Sequence, residues 1–146
     1  MWFQRQKKLL CSDLIGFKRI QITNDIFNMG LTEGFLQYGK SWFELTQDER
    51  LWFPHLVPNK EWKNRVSEDW NNIYEEKTGN ESMGPLQDKF HNKNIKRYTF
   101  AKYKNAFGET YYRFIGVFRF REKNDETCIY EKTSDELNLG KAKTVT

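Results

Sequence analysis

The sequence predicts an α+β, mainly β domain: a small antiparallel β-barrel with two or three short helices. The stretch 97–121, RYTFAKYKNAFGETYYRFIGVFRFR, reads as two strands around a tight turn at residues 105–108. Gly116 interrupts the second strand, where a bulge, a sharp bend or a close backbone approach is expected. A long, glycine-kinked antiparallel strand is typical of small barrels, which need such a bend to close.

Alternation along that second strand divides its side chains between two faces. The first face is aromatic and is expected to be core: Tyr112, Phe114, Gly116, Phe118 and Phe120. The second face mixes aliphatic residues with arginines and is expected to be half-buried: Tyr111, Arg113, Ile115, Val117, Arg119 and Arg121.

The N-terminal half carries weaker signals. Ile20 and Ile22 alternate with polar residues, which indicates a short strand. Residues 46–49, Thr-Gln-Asp-Glu, form a capping-box pattern and predict a short helix that Pro54 ends. The two rings that follow this pattern are expected in the core: Trp52 and Phe53.

Further along, residues 72–77 favour a strand over a helix capped by Ser67, because consecutive asparagines disfavour a helix and Ile-Tyr suits a strand. Residues 78–84 resemble a linker, and Pro85 suits the first position of a helix over residues 85–91. A turn at residues 123–126 leads to a third strand over residues 127–132.

Length and composition predict one soluble, globular domain, in which residues 1–60 either join the barrel or form a semi-separate lobe. The chain has 146 residues, 30% charged and 16% aromatic, which does not fit a disordered protein. No signal peptide or membrane-spanning run is visible in the sequence. The cysteines, Cys11 and Cys128, stand far apart, as expected for reduced thiols in the cytoplasm.

Charge is concentrated in one region. The chain has a net charge of +4, whereas residues 89–123 hold ten Lys or Arg against two acids, a net of +8. Cations beside aromatic rings on a sheet suit nucleic-acid binding, because cations neutralise phosphates and rings stack on bases. A plain solvated face and a protein-binding face are the alternatives. The candidate phosphate contacts are Lys96, Arg97, Lys102, Lys104, Arg113, Arg119 and Arg121.

Aromatic residues in the loop-rich regions are candidates for holding a base. Tyr38 and Trp42 flank Lys40 in QYGKSWF, and Trp62 and Trp70 lie among charged residues. A protein that reads a modified base holds it between rings while polar groups contact its edge. The alternative is that these rings belong to the core.

The usual catalytic patterns are missing or weak. His55 and His91 are 36 positions apart and form no HNH or metal-ligand cluster. Asp48 with residues 61–63, Glu-Trp-Lys, can be read as a D…ExK nuclease site for Mg²⁺, with residues 75–77 as a second ExK. Such matches arise by chance in a chain this rich in charge. We therefore expect no catalytic residue, cofactor or metal.

Three strings resemble a known family. KRYTFAKYKNAFGETYYRFIGVFRF, CIYEKTSDELNLG and EWKNRVSEDWNNIYEE resemble the small domain at the C-terminus of HNH-type restriction endonucleases. The resemblance covers residues 62–139, with weaker agreement over residues 18–56. It implies a PUA-like fold of the superfamily that includes readers of modified bases. Nothing in these 146 residues resembles the nuclease half, so the resemblance implies the reading module alone, free-standing or excised.

The leading hypothesis is therefore a non-enzymatic DNA-binding module in a bacterial or phage defence context. Its expected partner is duplex DNA, with or without a modified base, together with a nuclease subunit or a host defence protein, and no membrane. One alternative is a phage-encoded inhibitor that binds a host nuclease or its nucleic-acid channel. The other is a Mg²⁺-dependent nuclease using the carboxylates above.

Overall fold

A sheet built around the hairpin of residues 97–121 organises the fold. The computed structural model describes residues 7–31, 41–56, 64–76, 92–125 and 127–139. A 3-10 turn at Cys11–Asp13 and a short helix at Gln21–Ile26 accompany the strands. The strands of the described residues are β1 Lys8–Leu10, β2 Gly16–Phe17, β3 Trp42–Thr46, β4 Glu49–Trp52, β5 Arg65–Val66, β6 Asn72–Glu76, β7 Lys96–Lys104, β8 Thr110–Asn124, β9 Thr127–Ser134 and β10 Glu136–Asn138.

The main sheet runs in the order β3-β4-β7-β8-β9-β6-β5, with β2 also pairing β8, and β1 and β10 form a separate ribbon. Every pair is antiparallel except β4 and β7, which are parallel. The α+β, mainly β class is thus confirmed. The strand order is an open path, so the pairing does not close the sheet into the expected barrel. No helix of the described residues is long and apolar enough to cross a membrane.

Gly116 lies at a β-bulge, one of the three features predicted there. Thr99 pairs with Gly116 and Phe100 pairs with Phe114, so Ile115 is the extra residue on β8. Gly116 has φ of +135°, a conformation that side-chain-bearing residues rarely adopt. The bulge shifts the alternation of β8 by one position, so its side chains change faces in mid-strand.

The bulge makes the predicted single aromatic face of β8 wrong. Tyr112 and Phe114 pack with one cluster of the core, whereas Phe118 and Phe120 belong to a second. The first cluster's buried residues are Leu9, Phe17, Ile22, Ile26, Phe43, Leu51, Phe53, Phe100, Phe114, Val117, Leu137 and Leu139. Those of the second are Trp52, Ile73, Ala101, Ile115, Phe118, Phe120, Cys128 and Tyr130. The sheet is therefore covered on both faces.

The helix predicted after Thr46 is wrong, because this segment is the β3–β4 hairpin. The capping-box residues close the turn instead: the Thr46 hydroxyl donates to Glu49 Oε1 at 3.1 Å and accepts from the Asp48 N–H at 3.3 Å. Pairing of β4 with both β3 and β7 overrides the local signal, and Trp52 and Phe53 are buried as expected.

The strand predicted at Ile20 and Ile22 is also wrong, because the chain turns into the short helix Gln21–Ile26. Ile22 and Ile26 are four residues apart and both buried, so helical spacing satisfies the core where alternation does not. The strand expected at residues 72–77 is confirmed as β6, and those at residues 97–121 and 127–132 as β7, β8 and β9.

The remaining expectations concern two predicted segments and the number of domains. The linker at residues 78–84 and the helix at residues 85–91 lie outside the described residues. The single domain stays a prediction, although β1 and β2 tie the N-terminal segment to β10 and β8.

Candidate nucleic-acid interface

One face of the main sheet collects rings and charges, and we call it the tryptophan face. Cross-strand partners share a face, so the pairs Trp42–Trp52, Arg50–Arg97, Arg97–Phe118 and Phe118–Lys132 place one row of rings and one of charges side by side. The second core cluster lies on this same face. The tryptophan face is defined by Trp42, Arg50, Trp52, Glu75, Arg97, Arg113, Phe118, Tyr130 and Lys132.

Arg97 is the most buried cation of this face, with 5% of its surface exposed. Its guanidinium carbon lies 4.9 Å from the Trp52 ring centroid and 4.6 Å from that of Tyr130. The Trp52 and Tyr130 ring centroids are themselves 4.8 Å apart. A cation held against two rings in this way is desolvated and rigid. The Arg97 guanidinium could therefore contact a phosphate of bound DNA only if these rings moved.

Glu75 gives the face an acidic group close to Arg97. It pairs across the sheet with Cys128, a residue of the second cluster. Burial raises the pKa of Glu75 above its ordinary value, and the positive charge of Arg97 offsets part of that rise. Burial also raises the pKa of the Tyr130 hydroxyl, which therefore stays protonated and able to donate a hydrogen bond at neutral pH.

Arg113 lies at one end of the tryptophan face, with Trp70 of the β5–β6 turn beside it. Trp70 is 37% exposed, and the Arg113 guanidinium carbon lies 4.7 Å from its ring centroid. The β5–β6 turn holds Trp70 at φ of +62°, where a tryptophan is strained. This turn is well hydrogen-bonded: the Trp70 N–H donates to the Ser67 carbonyl at 2.9 Å, and the Asn71 N–H to Asp69 Oδ1 at 3.0 Å.

Trp42 lies at the edge strand β3 and is half-buried against the second cluster. The Arg50 guanidinium carbon is 5.8 Å from the Trp42 ring centroid. Arg50 also forms an ion pair with Glu44, with 3.5 Å between Nη2 and Oε1. Trp42 therefore has features of both predicted roles, core residue and base contact, since it packs against the core and also lies beside a cation.

The predicted cations do not form one surface. Arg97 and Arg113 lie on the tryptophan face, whereas Lys102 and Lys104 are exposed near the end of the β7–β8 hairpin. Arg119 is displaced to the opposite face by the bulge at Gly116 and pairs with Glu131 at 2.9 Å. Two more are exposed elsewhere: Lys96 at the start of β7 and Arg121 beside Glu122.

Of the predicted base-pocket residues, the structure places Trp42 and Trp70 on or beside the tryptophan face. Tyr38, Lys40 and Trp62 lie outside the described residues.

Six residues of the face are not among the predicted site residues. Two of them, Trp52 and Phe118, were predicted as core, and the other four are Arg50, Glu75, Tyr130 and Lys132. Glu75, Tyr130 and Lys132 occupy alternate positions of strands that the sequence predicts, so facing positions on β6 and β9 are a signal that identifies them. Arg50 was missed because the sequence predicted a helix after Thr46, where the structure has strand β4.

The described carboxylates that were considered for a nuclease site lie far apart in the fold. Asp48 is exposed in the β3–β4 turn, while Glu75 is half-buried on β6, several strands away. Residues 61–63 and Lys77 lie outside the described residues. Within the described ranges, no three His, Cys, Asp or Glu side chains are grouped so that they could hold a metal ion.

Comparisons with known proteins agree with this architecture. The family model described as the SET and RING associated (SRA) domain matches residues 2–139. Among solved structures, a chain described as the 5-hydroxymethylcytosine-specific restriction enzyme AbaSI is similar, with a TM-score of 0.76 and 23% identity. The match covers 90% of this chain and 42% of that one. No curated protein matches. The expected PUA-like modified-base reader domain is thus confirmed.

Proposed function

Because the chain belongs to the SRA family, we propose that it is a DNA-binding module that recognises a modified cytosine in duplex DNA. Binding and recognition are the activity in this proposal, and the chain carries no catalytic step of its own. The similar structure has a restriction enzyme's description, which supports a role in restriction of modified DNA. A nuclease region or subunit would then act on the DNA that this module has bound.

The observation that carries the proposal is Glu75, a carboxylate on the tryptophan face that feels the charge of Arg97, whose guanidinium packs on the rings of that face. A carboxylate accepts hydrogen bonds from the N4 amine of cytosine, and rings hold a base that has left the helix. Glu75 is charged at neutral pH only at a cost, since burial raises its pKa. A cytosine amine directed at Glu75 would compensate that cost.

The other end of the face suits the DNA backbone. Arg113 is a half-buried cation there, and Trp70 offers an exposed ring beside it. Each cation that neutralises a phosphate adds about one unit to the salt dependence of binding. We therefore assign base recognition to the Glu75 end and backbone contact to the Arg113 end.

The proposal is tested by titrating the protein into labelled duplexes that differ only at one cytosine: unmodified, 5-methylated or 5-hydroxymethylated. Affinities are measured at two salt concentrations. We expect at least one modified duplex to bind about tenfold or more tightly than the unmodified one, with a salt slope of a few units. Equal, weak binding to all three duplexes would contradict the proposal.

A pair of variants tests the proposed contact between Glu75 and the cytosine amine. Glu75→Gln removes the carboxylate that would accept from the N4 amine and should weaken binding to the modified duplex by about five- to a hundredfold, equivalent to about 1–3 kcal/mol. Glu76→Gln is the matched control, because Glu76 is the next residue of the same strand and points to the opposite face. The control should keep the wild-type affinity for the modified duplex.

A further inference from the structure

The β7–β8 hairpin extends beyond the rest of the sheet. β4 pairs with β7 only at Lys96–Thr99, and β2 pairs with β8 only at residues 112–113. From Lys102 to Tyr111, the two strands pair only with each other among the described residues. Three residues of strand at about 3.3 Å each, followed by the turn, make this free ribbon about 10 Å long.

The tip of the ribbon presents Phe107, which is 88% exposed. The turn is held by Asn105: its Oδ1 accepts from the N–H groups of Phe107 and Glu109, both at 2.9 Å, and its carbonyl accepts from the Gly108 N–H at 3.0 Å. Gly108 has φ of +78°, which its lack of a side chain permits. The phenyl ring is thus displayed on an ordered turn, which lowers the entropy cost of burying it in a partner.

The two sides of the ribbon differ in character. Lys102 and Lys104 lie on one side, both exposed and neither in an ion pair with a described residue. Tyr103 and Tyr111 stack on the other side, with 6.2 Å between ring centroids, and Lys18 lies over Tyr111 at 4.2 Å. Lys102 and Lys104 make one side of the ribbon complementary to a polyanion, and an apolar tip beyond these cations matches the apolar and phosphate groups of a DNA groove.

We propose that this ribbon enters the major groove next to the recognised cytosine and packs Phe107 against the 5-methyl group of a thymine. The inference rests on the proposed function and adds a preference for particular flanking bases. The major groove, about 12 Å wide and about 8.5 Å deep, admits a two-stranded β-ribbon, and the ribbon is long enough to reach its floor. Lys102 and Lys104 then lie at the phosphates that border the groove. Phenylalanine reads thymine through its 5-methyl group, which adenine, guanine and unmodified cytosine lack.

The test is a uracil scan. In the tightest-binding duplex, each thymine within about five base pairs of the modified cytosine is replaced in turn by deoxyuridine, which removes only the methyl group. Wild-type protein should lose about fourfold in affinity at one position, the loss expected for one buried methyl group. Phe107→Ala should bind all these duplexes more weakly and equally. Leu14→Ala, which truncates an exposed apolar residue elsewhere, should keep the wild-type profile.

The outcomes separate the two proposals. If wild-type protein prefers modified DNA but its scan is flat, or if Phe107→Ala keeps the wild-type scan, the thymine contact is wrong and the proposed function stands. If the wild-type protein binds no duplex, both are wrong. Because Phe107 is almost fully exposed, its truncation should leave the melting temperature unchanged, which shows that the variant is folded.

Discussion

The side chain of Lys132 lies directly across Gly116. A Cβ placed on Gly116 would lie 2.8 Å from Lys132 Cε and 3.1 Å from its Cγ and Cδ. Lys132 then continues to an ion pair with Asp135, with 3.1 Å between Nζ and Oδ1. The bulge at Gly116 therefore fixes a cation of the tryptophan face and also divides the arginines of β8 between two faces.

Gly116→Ala should destabilise the protein by about 2–3 kcal/mol, because it adds a contact with Lys132 to a backbone conformation that alanine rarely adopts. For a chain of this size the melting temperature should fall by roughly 5–10 °C. Gly108→Ala is the control: Gly108 also has positive φ, but nothing lies within 4 Å of its added Cβ. An equal loss for both variants would show that backbone strain alone, and not the Lys132 contact, sets the cost.

Replacing Trp70 should separate stability from binding. Trp70→Asn relieves a strained conformation that asparagine tolerates, and loses one cation–π contact with Arg113, so the free energy of unfolding should stay within about 1 kcal/mol of wild type. Affinity for modified duplex should fall about five- to a hundredfold if the ring stacks on a base or sugar. The control is Tyr74→Ala, which removes the ring of the Arg65 pair at 4.5 Å on the opposite side of the sheet. Unchanged affinity of Trp70→Asn would exclude Trp70 from the interface.

Glu75→Gln should change how stability depends on pH. Burial raises the folded-state pKa of Glu75 above its unfolded value near 4.5, so the wild-type protein binds this proton more tightly when folded. Stability from this group is complete below about pH 4.5 and is lost as pH rises through the folded-state pKa. Glutamine mimics the protonated carboxyl, so the variant should be the more stable at pH 7 and equal to wild type at low pH. Melting temperatures between pH 4 and 8 test this, and a variant less stable at pH 7 would contradict it.

Strand identity in the C-terminal half could be predicted because local signals and tertiary pairing agree there. β6, β7, β8 and β9 follow alternation, and the turn at residues 105–108 follows its Asn and Gly. At Thr46 a genuine local signal was outweighed by pairing with β7, about fifty residues away, which no local pattern reveals. The four-residue spacing of Ile22 and Ile26 fits both a strand and a helix, and only packing in the core, where both are buried, favours the helix.

The candidate site was predicted less completely for a related reason. Composition identifies the cations, but only the position of the bulge decides which of them share a face. Gly116 indicated that a bulge was possible, yet not that the extra residue is Ile115, and this one-residue shift separates Arg113 from Arg119. Likewise, Arg97 was expected at the surface because it is charged, whereas the rings of Trp52 and Tyr130 make its burial tolerable.

The two cysteines should react slowly with alkylating reagents in the folded protein. Burial raises the pKa of both Cys11 and Cys128 to about 11, from 9.0. Two pKa units reduce the thiolate, the reactive form, about a hundredfold at pH 7.5. The cysteines pack with different core clusters and are not joined by a disulfide. Iodoacetamide labelling followed by mass spectrometry should thus be about a hundredfold slower than in urea, with half-buried Cys11 modified before Cys128. The variant Cys128→Ser assigns the faster phase to Cys11, and labelling at the same rate with and without urea would contradict the burial of both thiols.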